Sequence, residues 1–404
     1  MPRVNHEILR WARETAGLTE EEAVEKLHLP ESKGVTAVDK LRALEAGQTI
    51  PTRTLLLKMA DAYRRPLLVF FMSAPPRKGD RGEDFRTLPE GHSNAQEALL
   101  DVVIRNVKAR QSLIRVVLEE EDEARRLPFV GSMKVSDGPD AVLASIRETL
   151  GVELLAIFRR QRSPDDAFAL LRSASEKAGI FVLLIGDLGS HHTAIDLETF
   201  RGFALADEIA PFVIINDRDS HAAWSFTLLH ELVHIWLGQT GVSGASAEIS
   251  IEQFCNHIAG EFLLPSSELG QLQLDDVRDA SHVMRQISAF ATERNLSSSM
   301  VAYKLYLTNI IDQAVWHKCS VMFRDRWLDE RERRRERQRE QEGGPNYYIV
   351  RRHRLGTALI NLVLRMMSSG VLTTSKAGMI LNVKPKNVHR LADTQSSGSS
   401  RRIA

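Results

Sequence analysis

Hydrophobic positions recur at three- and four-residue intervals over most of the chain and change to short unbroken runs only near its middle. This pattern predicts a mostly helical protein with one small sheet. At the front the spacing gives four helices, about 5–16, 19–28, 36–46 and 52–64, punctuated by Gly17, Pro30, Gly34, Gly47 and Pro51. Thr19 followed by Glu22 is a capping box that starts the second of them. The apolar run Leu67 to Phe71 closes this small core, and the prolines and glycines of 74–82 read as a linker. Residues 93–127 and 138–172 keep helical spacing, with Leu99, Val102, Val103 and Val107 followed by Leu113, Val116 and Val117, and read as connecting helices. The period then shortens: 180–185, 203–205 and 211–215 are rich in large or β-branched residues bounded by Gly, Asp and Asn, and read as strands. A helix over about 220–237 follows, apolar around most of its circumference and therefore packed inside its domain.

Farther on, 325–342 is dominated by Arg and Glu at helical pair spacing, which reads as a solvated helix or partly ordered arm ending at Gly343-Gly344-Pro345. Residues 347–367 look helical, 373–391 resemble two short helices around Asn382-Val383-Lys384-Pro385, and 395–404 reads as a disordered tail. The expected class is α+β, mostly helical. It divides into a basic helical module at 1–75, a helical linker region at 76–172, a domain with the small sheet and buried helix at 173–300, and a basic helical extension at 301–404.

A chain of 404 residues with 43% hydrophobic and 26% charged positions has enough apolar surface for several packed units, which excludes a mostly disordered protein. Its two cysteines, Cys255 and Cys319, cannot build a disulfide framework, and the first residues carry no apolar stretch of the secretory type, so a reducing cytoplasmic setting is expected. No run approaches the roughly 18–20 apolar residues of a membrane span. The formal charge of zero conceals a segregation. Residues 1–78 hold 13 basic and 10 acidic residues, 79–304 hold 21 and 34, and 305–404 hold 19 and 9. Contact with a polyanion belongs at the two ends, and the acidic middle is better suited to a cation.

The candidate chemistry lies on the buried helix. His230-Glu231-Leu232-Val233-His234 is an HExxH pattern, whose histidines stand one helical turn apart and can grip one ion. Two imidazoles and a carboxylate on an apolar helix would be costly to bury without such a partner. A catalytic zinc needs a third protein ligand and an open position. Glu252, 18 residues past His234, is the preferred candidate on face geometry, with Glu248, Cys255 and His257 as rivals. Asn256 shares the face of Glu252 and could steady a ligand imidazole. Glu261, nine residues after Glu252, lies about 180° around the helix and is rejected. Zn²⁺ at His230, His234 and Glu252 would lower the pKa of its water toward ~7, with Glu231 as base in peptide hydrolysis. An oxyanion donor stays unassigned among His191, His192, His221 and His257. The 201–206 strand, if at a sheet edge, could hold an extended peptide by main-chain pairing.

The segment Val213 to Asp219, the run Phe226 to His234, the motif Glu252-x-x-Cys255-Asn256 and the block Ala259 to Pro265 together resemble the ImmA/IrrE family of metallopeptidases over about 170–270. Cys255 stands where that family more often has Ala. The resemblance implies a zincin-like fold, zinc on His230, His234 and Glu252, Glu231 as base, and cleavage of a partner regulatory protein such as a repressor. The front end resembles an Xre-type helix-turn-helix, with Thr19 to Leu27 as its second helix, Ala37 to Gly47 as the recognition helix and Pro51-Thr52 opening the fourth. Lys40, Arg42 and Arg53 are then the residues placed to meet duplex DNA, and a homodimer would double their contacts.

The expected protein is thus a zinc metalloendopeptidase with a DNA-binding domain that controls transcription by cutting a protein. Two other roles fit the same residues. One is a DNA-binding autorepressor or antitoxin whose zinc domain is structural or sensory; the other is a protease toxin or defence protein acting on a host factor.

Overall fold

The computed structural model describes residues 4–32, 34–75, 94–242, 249–275, 277, 279–340 and 346–393. The chain forms two compact units: residues 1–107 with 187–199, and 108–186 with 200–404.

In the first unit, α1 (His6–Thr15), α2 (Glu20–Leu27), α3 (Ala37–Glu45) and α4 (Arg53–Ala62) are followed by a 3-10 turn at Leu67–Phe71. Thr19 caps α2 with Glu22 closing the box, and Thr36 and Asp39 do the same for α3. Each helix turns one apolar stripe inward, so that Ile8, Leu9, Leu27, Leu41, Leu44, Met59, Tyr63 and Phe70 form a single core. A buried bidentate pair crosses it: Arg13 Nε and Nη2 donate to Glu45 at 2.7 and 2.9 Å. The front of α5 (Asn94–Glu120) and the segment 187–199 complete this unit.

The second unit is built on one continuous core running from Phe129 to Phe323. The helices α6 (Pro139–Leu150), α7 (Leu154–Arg159) and α8 (Pro164–Lys177) supply Val142, Ile146, Phe158, Phe168 and Leu171 to it. Residues expected as connecting helices are therefore core helices, a distinction that helical spacing alone does not make. The strands are β1 (Phe181–Leu184), β2 (Gly202–Leu205), β3 (Phe212–Ile215) and β4 (Gly241–Val242), in the order β1-β3-β2-β4. β1 runs parallel to β3, while β2 is antiparallel to both β3 and β4. Every residue of β1, β2 and β3 is buried, which explains their unbroken apolar runs. One expectation is overturned here. β2 is not an edge strand, because β4 pairs with Phe203 and Ala204 on the side away from β3. Its main chain is used inside the sheet and offers no open ladder for a peptide.

Next come α9 (His221–Trp236) and α10 (Ile249–Leu263), then α11 (Ser266–Leu269), α12 (Ala280–Glu293), α13 (Ser298–Leu307) and α14 (Gln313–Glu340). α14 starts with buried Val315, Cys319 and Phe323 and continues as the Arg/Glu-rich helix expected from its charge pattern. The last helices are α15 (Tyr347–Leu355), α16 (Thr357–Ser368), α17 (Thr374–Leu381) and α18 (Val388–Asp393). They are fastened to the sheet side by a buried clamp. Arg172 on α8 donates to the carbonyls of Val182, His353 and Arg354, and its partner Glu176 accepts from the N–H groups of Thr357 and Ala358 at 3.2 and 3.1 Å. Arg354 in turn pairs with Asp217 at 2.6 Å. Among the described residues no helix is long and apolar enough to cross a membrane. The 395–404 tail lies outside the described residues.

Candidate metal centre

α9 lies against β2, β3, α8 and α10, and apart from Thr227, His230, Glu231 and His234 the residues it buries there are mostly apolar. Trp236 near its end stacks on Phe129 with ring centroids 4.5 Å apart and donates to Ser145 at 3.0 Å, fixing the end of the helix. In this dry setting His230, Glu231 and His234 are 5%, 0% and 7% exposed. α10 supplies the opposing wall. Its buried stripe Cys255, Ile258, Ala259, Phe262 and Leu263 has helical spacing, and one turn earlier the same stripe carries Glu252 to the histidines.

Three ligand-type atoms meet there. His230 Nε2 and His234 Nε2 are 3.2 Å apart, and the Glu252 carboxylate lies 3.2 Å from the first and 3.4 Å from the second. The far nitrogens show which lone pairs face inward. His230 Nδ1 lies 3.0 Å from the Asn256 amide oxygen, and His234 Nδ1 lies 3.2 Å from that of Gln239. Each Nδ1 can bond an oxygen only by donating its proton, so each neutral ring presents a bare Nε2 to the centre. Two lone pairs and a carboxylate then converge without a hydrogen among them, an arrangement that calls for a cation. A tetrahedral zinc with bonds of ~2.0–2.1 Å spaces its ligands by about 3.3–3.4 Å, close to the separations found. The residues fit a zinc ion by donor type and by spacing.

A proton is the competing cation at this centre, and the electrostatics show how strongly positive charge is favoured there. Burial works against charge on Glu252, but the two facing imidazoles prevail and hold its carboxyl down to about 2. Burial likewise disfavours protonated His234, yet its hydrogen bonds to Cys255 and Glu252 raise it well above the usual imidazole value. This pocket is negative enough to hold positive charge.

Of the rivals, Cys255 stays closest: a ligand atom from each of His230, His234 and Cys255 lies within 4.8 Å of the others. Burial pushes its thiol up, which favours the neutral form beside His234, whereas the Glu252 carboxyl is held down and ionised. His257 is exposed on the outer side of α10. Glu261 is occupied elsewhere, accepting from Lys304 Nζ at 2.6 Å and from the Ser266 N–H at 2.8 Å. Glu248 lies outside the described residues. His221 opens α9, bonded to Asp165 and packed on Trp224. His191 and His192 belong to the 187–199 segment of the first unit.

Two contributors escape sequence reading. Gln239, just past the end of α9, holds His234; an amide placed five residues after the second histidine is a usable signal in retrospect. Gly202 lets β2 close on the base. A Cβ there would meet Thr227 Cγ2 at 2.6 Å and Glu231 Oε1 at 2.9 Å, so Gly202→Ala should displace Glu231. Cleavage should fall at least tenfold with metal content unchanged, read by turnover together with elemental analysis. Asn256→Ala should leave His230 free to rotate and weaken zinc about 10–100-fold in a competition titration with a chelating dye. An unaltered affinity would remove Asn256 from the site.

The residues predicted to meet DNA lie in the first unit. Lys40 donates to the Pro30 carbonyl, Arg42 pairs with Glu20 at 2.6 Å, and Arg53 is exposed on the first turn of α4.

No curated protein and no solved structure matches the chain. A family model does match: residues 176–306 fit the IrrE N-terminal-like domain, Peptidase_M78, a stretch that contains the whole sheet, both helices of the metal centre and all three converging ligands. The centre therefore lies within the stretch of the chain that is similar to that family's metallopeptidase domain.

Proposed function

We propose that the chain is a zinc-dependent endopeptidase that cuts a partner regulatory protein and thereby controls transcription. The observation that carries this reading is the meeting of His230, His234 and Glu252 at 3.2–3.4 Å with Glu231 buried on the same helix. When bound, zinc would supply Lewis-acid chemistry and a more acidic water. His230, His234 and Glu252 would hold it, with Asn256 and Gln239 fixing the ring orientations. Glu231 takes the proton of the attacking water and returns it to the leaving amine. Gly202 lies against this carboxylate and limits its movement on the side of β2. Purely structural zinc sites are closed by four protein ligands, whereas three ligands beside a buried acid form a working arrangement.

The transcriptional part of the reading places duplex DNA on the N-terminal module. Arg53 is the cation there best able to reach a phosphate, since Lys40 and Arg42 are engaged within the module. The test compares new protein N-termini in cells carrying the wild type and Glu231→Gln. Cleavage products confined to the wild type support the proposal, and identical N-termini in the two strains defeat it.

Cys255 favours a second reading, in which its thiolate is a fourth ligand and the site is structural or sensory in a DNA-binding repressor or antitoxin. The two readings predict opposite results for Cys255→Ala. A peptidase keeps its zinc affinity within about twofold, whereas a four-ligand site loses more than the ~100-fold that an outer-shell partner is worth.

A further inference from the structure

Residues 346–392 contain eight Lys or Arg and no Asp or Glu. Within them α17 ends on Asn382 in the left-handed conformation, φ 49° and ψ 50°. After Val383 and Lys384 the chain re-enters helix through a 3-10 turn at Pro385–Asn387 that runs into α18. Two short helices joined by a short turn are the arrangement by which a helix-turn-helix presents its second helix to the major groove. The turn is tight because Gly378 allows it: a Cβ there would meet the Val383 carbonyl oxygen at 2.8 Å and Pro385 Cα at 3.3 Å.

The local design repeats that of α2 in the first unit. Each helix has a threonine N-cap (Thr19, Thr373), a buried alanine four residues on (Ala23, Ala377), a buried leucine eight on (Leu27, Leu381) and a left-handed residue nine on (His28, Asn382). The closing hydrogen bonds also correspond. His28 and Leu29 donate to Glu25 and Val24 at 3.1 and 3.2 Å, and Asn382 and Val383 donate to Met379 and Gly378 at 3.2 and 2.9 Å. Left-handed helix ends are common, so the backbone alone decides little.

The length of the turn and the charge around it separate the two motifs. Nine residues separate α2 from α3, whereas six separate α17 from α18, the last three of them in the 3-10 turn. Residues 19–46 hold four basic and seven acidic side chains, whereas 373–391 hold four basic and none acidic. Burial separates the core residues of the second motif from its cations, with Met379 as the large apolar side chain left exposed. Ala377, Ile380, Leu381, Val388 and Leu391 are buried, while Lys376, Lys384, Lys386, His389 and Arg390 are exposed.

We propose that residues 373–391 are a second helix-turn-helix, which binds duplex DNA chiefly at its phosphates through Lys376, Lys384 and Lys386. Positive charge unopposed by any acidic residue on the exposed side of a compact two-helix motif is complementary to a duplex, and the acidic α2–α3 region is not. The inference is independent of the metal centre. It extends the DNA-bound reading of the chain by placing most of the phosphate contact near the C-terminal end of the sequence, far along the chain from Arg53.

The test uses the full chain and a fluorescein-labelled 30-base-pair duplex of random sequence, followed by anisotropy from 50 to 200 mM KCl. The variant Lys376→Ala/Lys384→Ala/Lys386→Ala should bind at least tenfold more weakly at 100 mM, with the slope of log K against log salt reduced by about 2.7. Replacing the same three lysines by Arg should preserve both quantities. Arg53→Ala should lower the slope by only about 0.9, which separates failure of the N-terminal contact from failure of this one. Because the three lysines are exposed, all variants should keep the wild-type melting temperature. The proposal is overturned if the triple alanine variant binds like the wild type, if Arg53→Ala alone abolishes binding, or if the wild type binds an acidic peptide in preference to the duplex.

Discussion

Glu231→Gln should reduce cleavage of the protein's substrate by about 10²–10⁴-fold while leaving metal content and melting temperature close to wild type. The substitution keeps the shape of a side chain that has no room to change. Glu231 is fully buried in α9, with Gly202 of β2 against it. Glutamine has the same number of heavy atoms and fits that space, but its amide cannot accept the proton of an attacking water. The ligands His230, His234 and Glu252 are untouched, so elemental analysis should still return one metal ion per chain. Cleavage at the wild-type rate would sink the mechanism. Loss of both cleavage and metal would instead assign Glu231 to holding the centre together.

His230→Ala should have the larger effect on binding. It removes one of three converging donors and also leaves Asn256 without the ring it orients. Removing a ligand should cost more than the ~100-fold loss that follows removal of an outer-shell partner, enough to leave the purified protein without stoichiometric zinc. Because a ligand that binds only the native state raises stability by mass action, added zinc should raise the melting temperature of the wild type and have no effect on this variant. A His230→Ala protein that still copurifies with one zinc and responds to it in the melt would point to Cys255 as a functioning ligand and would defeat the three-ligand site.

Much of this centre was legible because helical geometry fixes it locally. The four-residue step from His230 to His234 puts both rings on one face, and the apolar stripe of α10 carries Glu252 to the same place. The rejection of Glu261 follows from the same rotation, and the residue indeed serves Lys304. The parts that escaped depend on relations the one-dimensional pattern does not contain. β4 has only two residues, too few to show a period, and its pairing is what turns β2 from an edge into an interior strand. Gly202 matters through a contact made across the sheet to α9. The helices of 138–172 look like any amphipathic connector until the core they join is known. The partners of Lys40 and Arg42, the Pro30 carbonyl and Glu20, likewise come from neighbouring turns of the same module and are not visible in the pattern.

The Arg172 clamp has a practical consequence for work with shortened proteins. Its guanidinium is satisfied largely by the carbonyls of residues 353 and 354, and Glu176 by the amides that open α16. Ending the chain before Tyr347 would remove these partners and uncover β1 and α8, against which α15 and α16 pack. An expression fragment ending before α15 would lose that cover and aggregate, so the smallest well-folded fragment carrying the metal centre extends through α16.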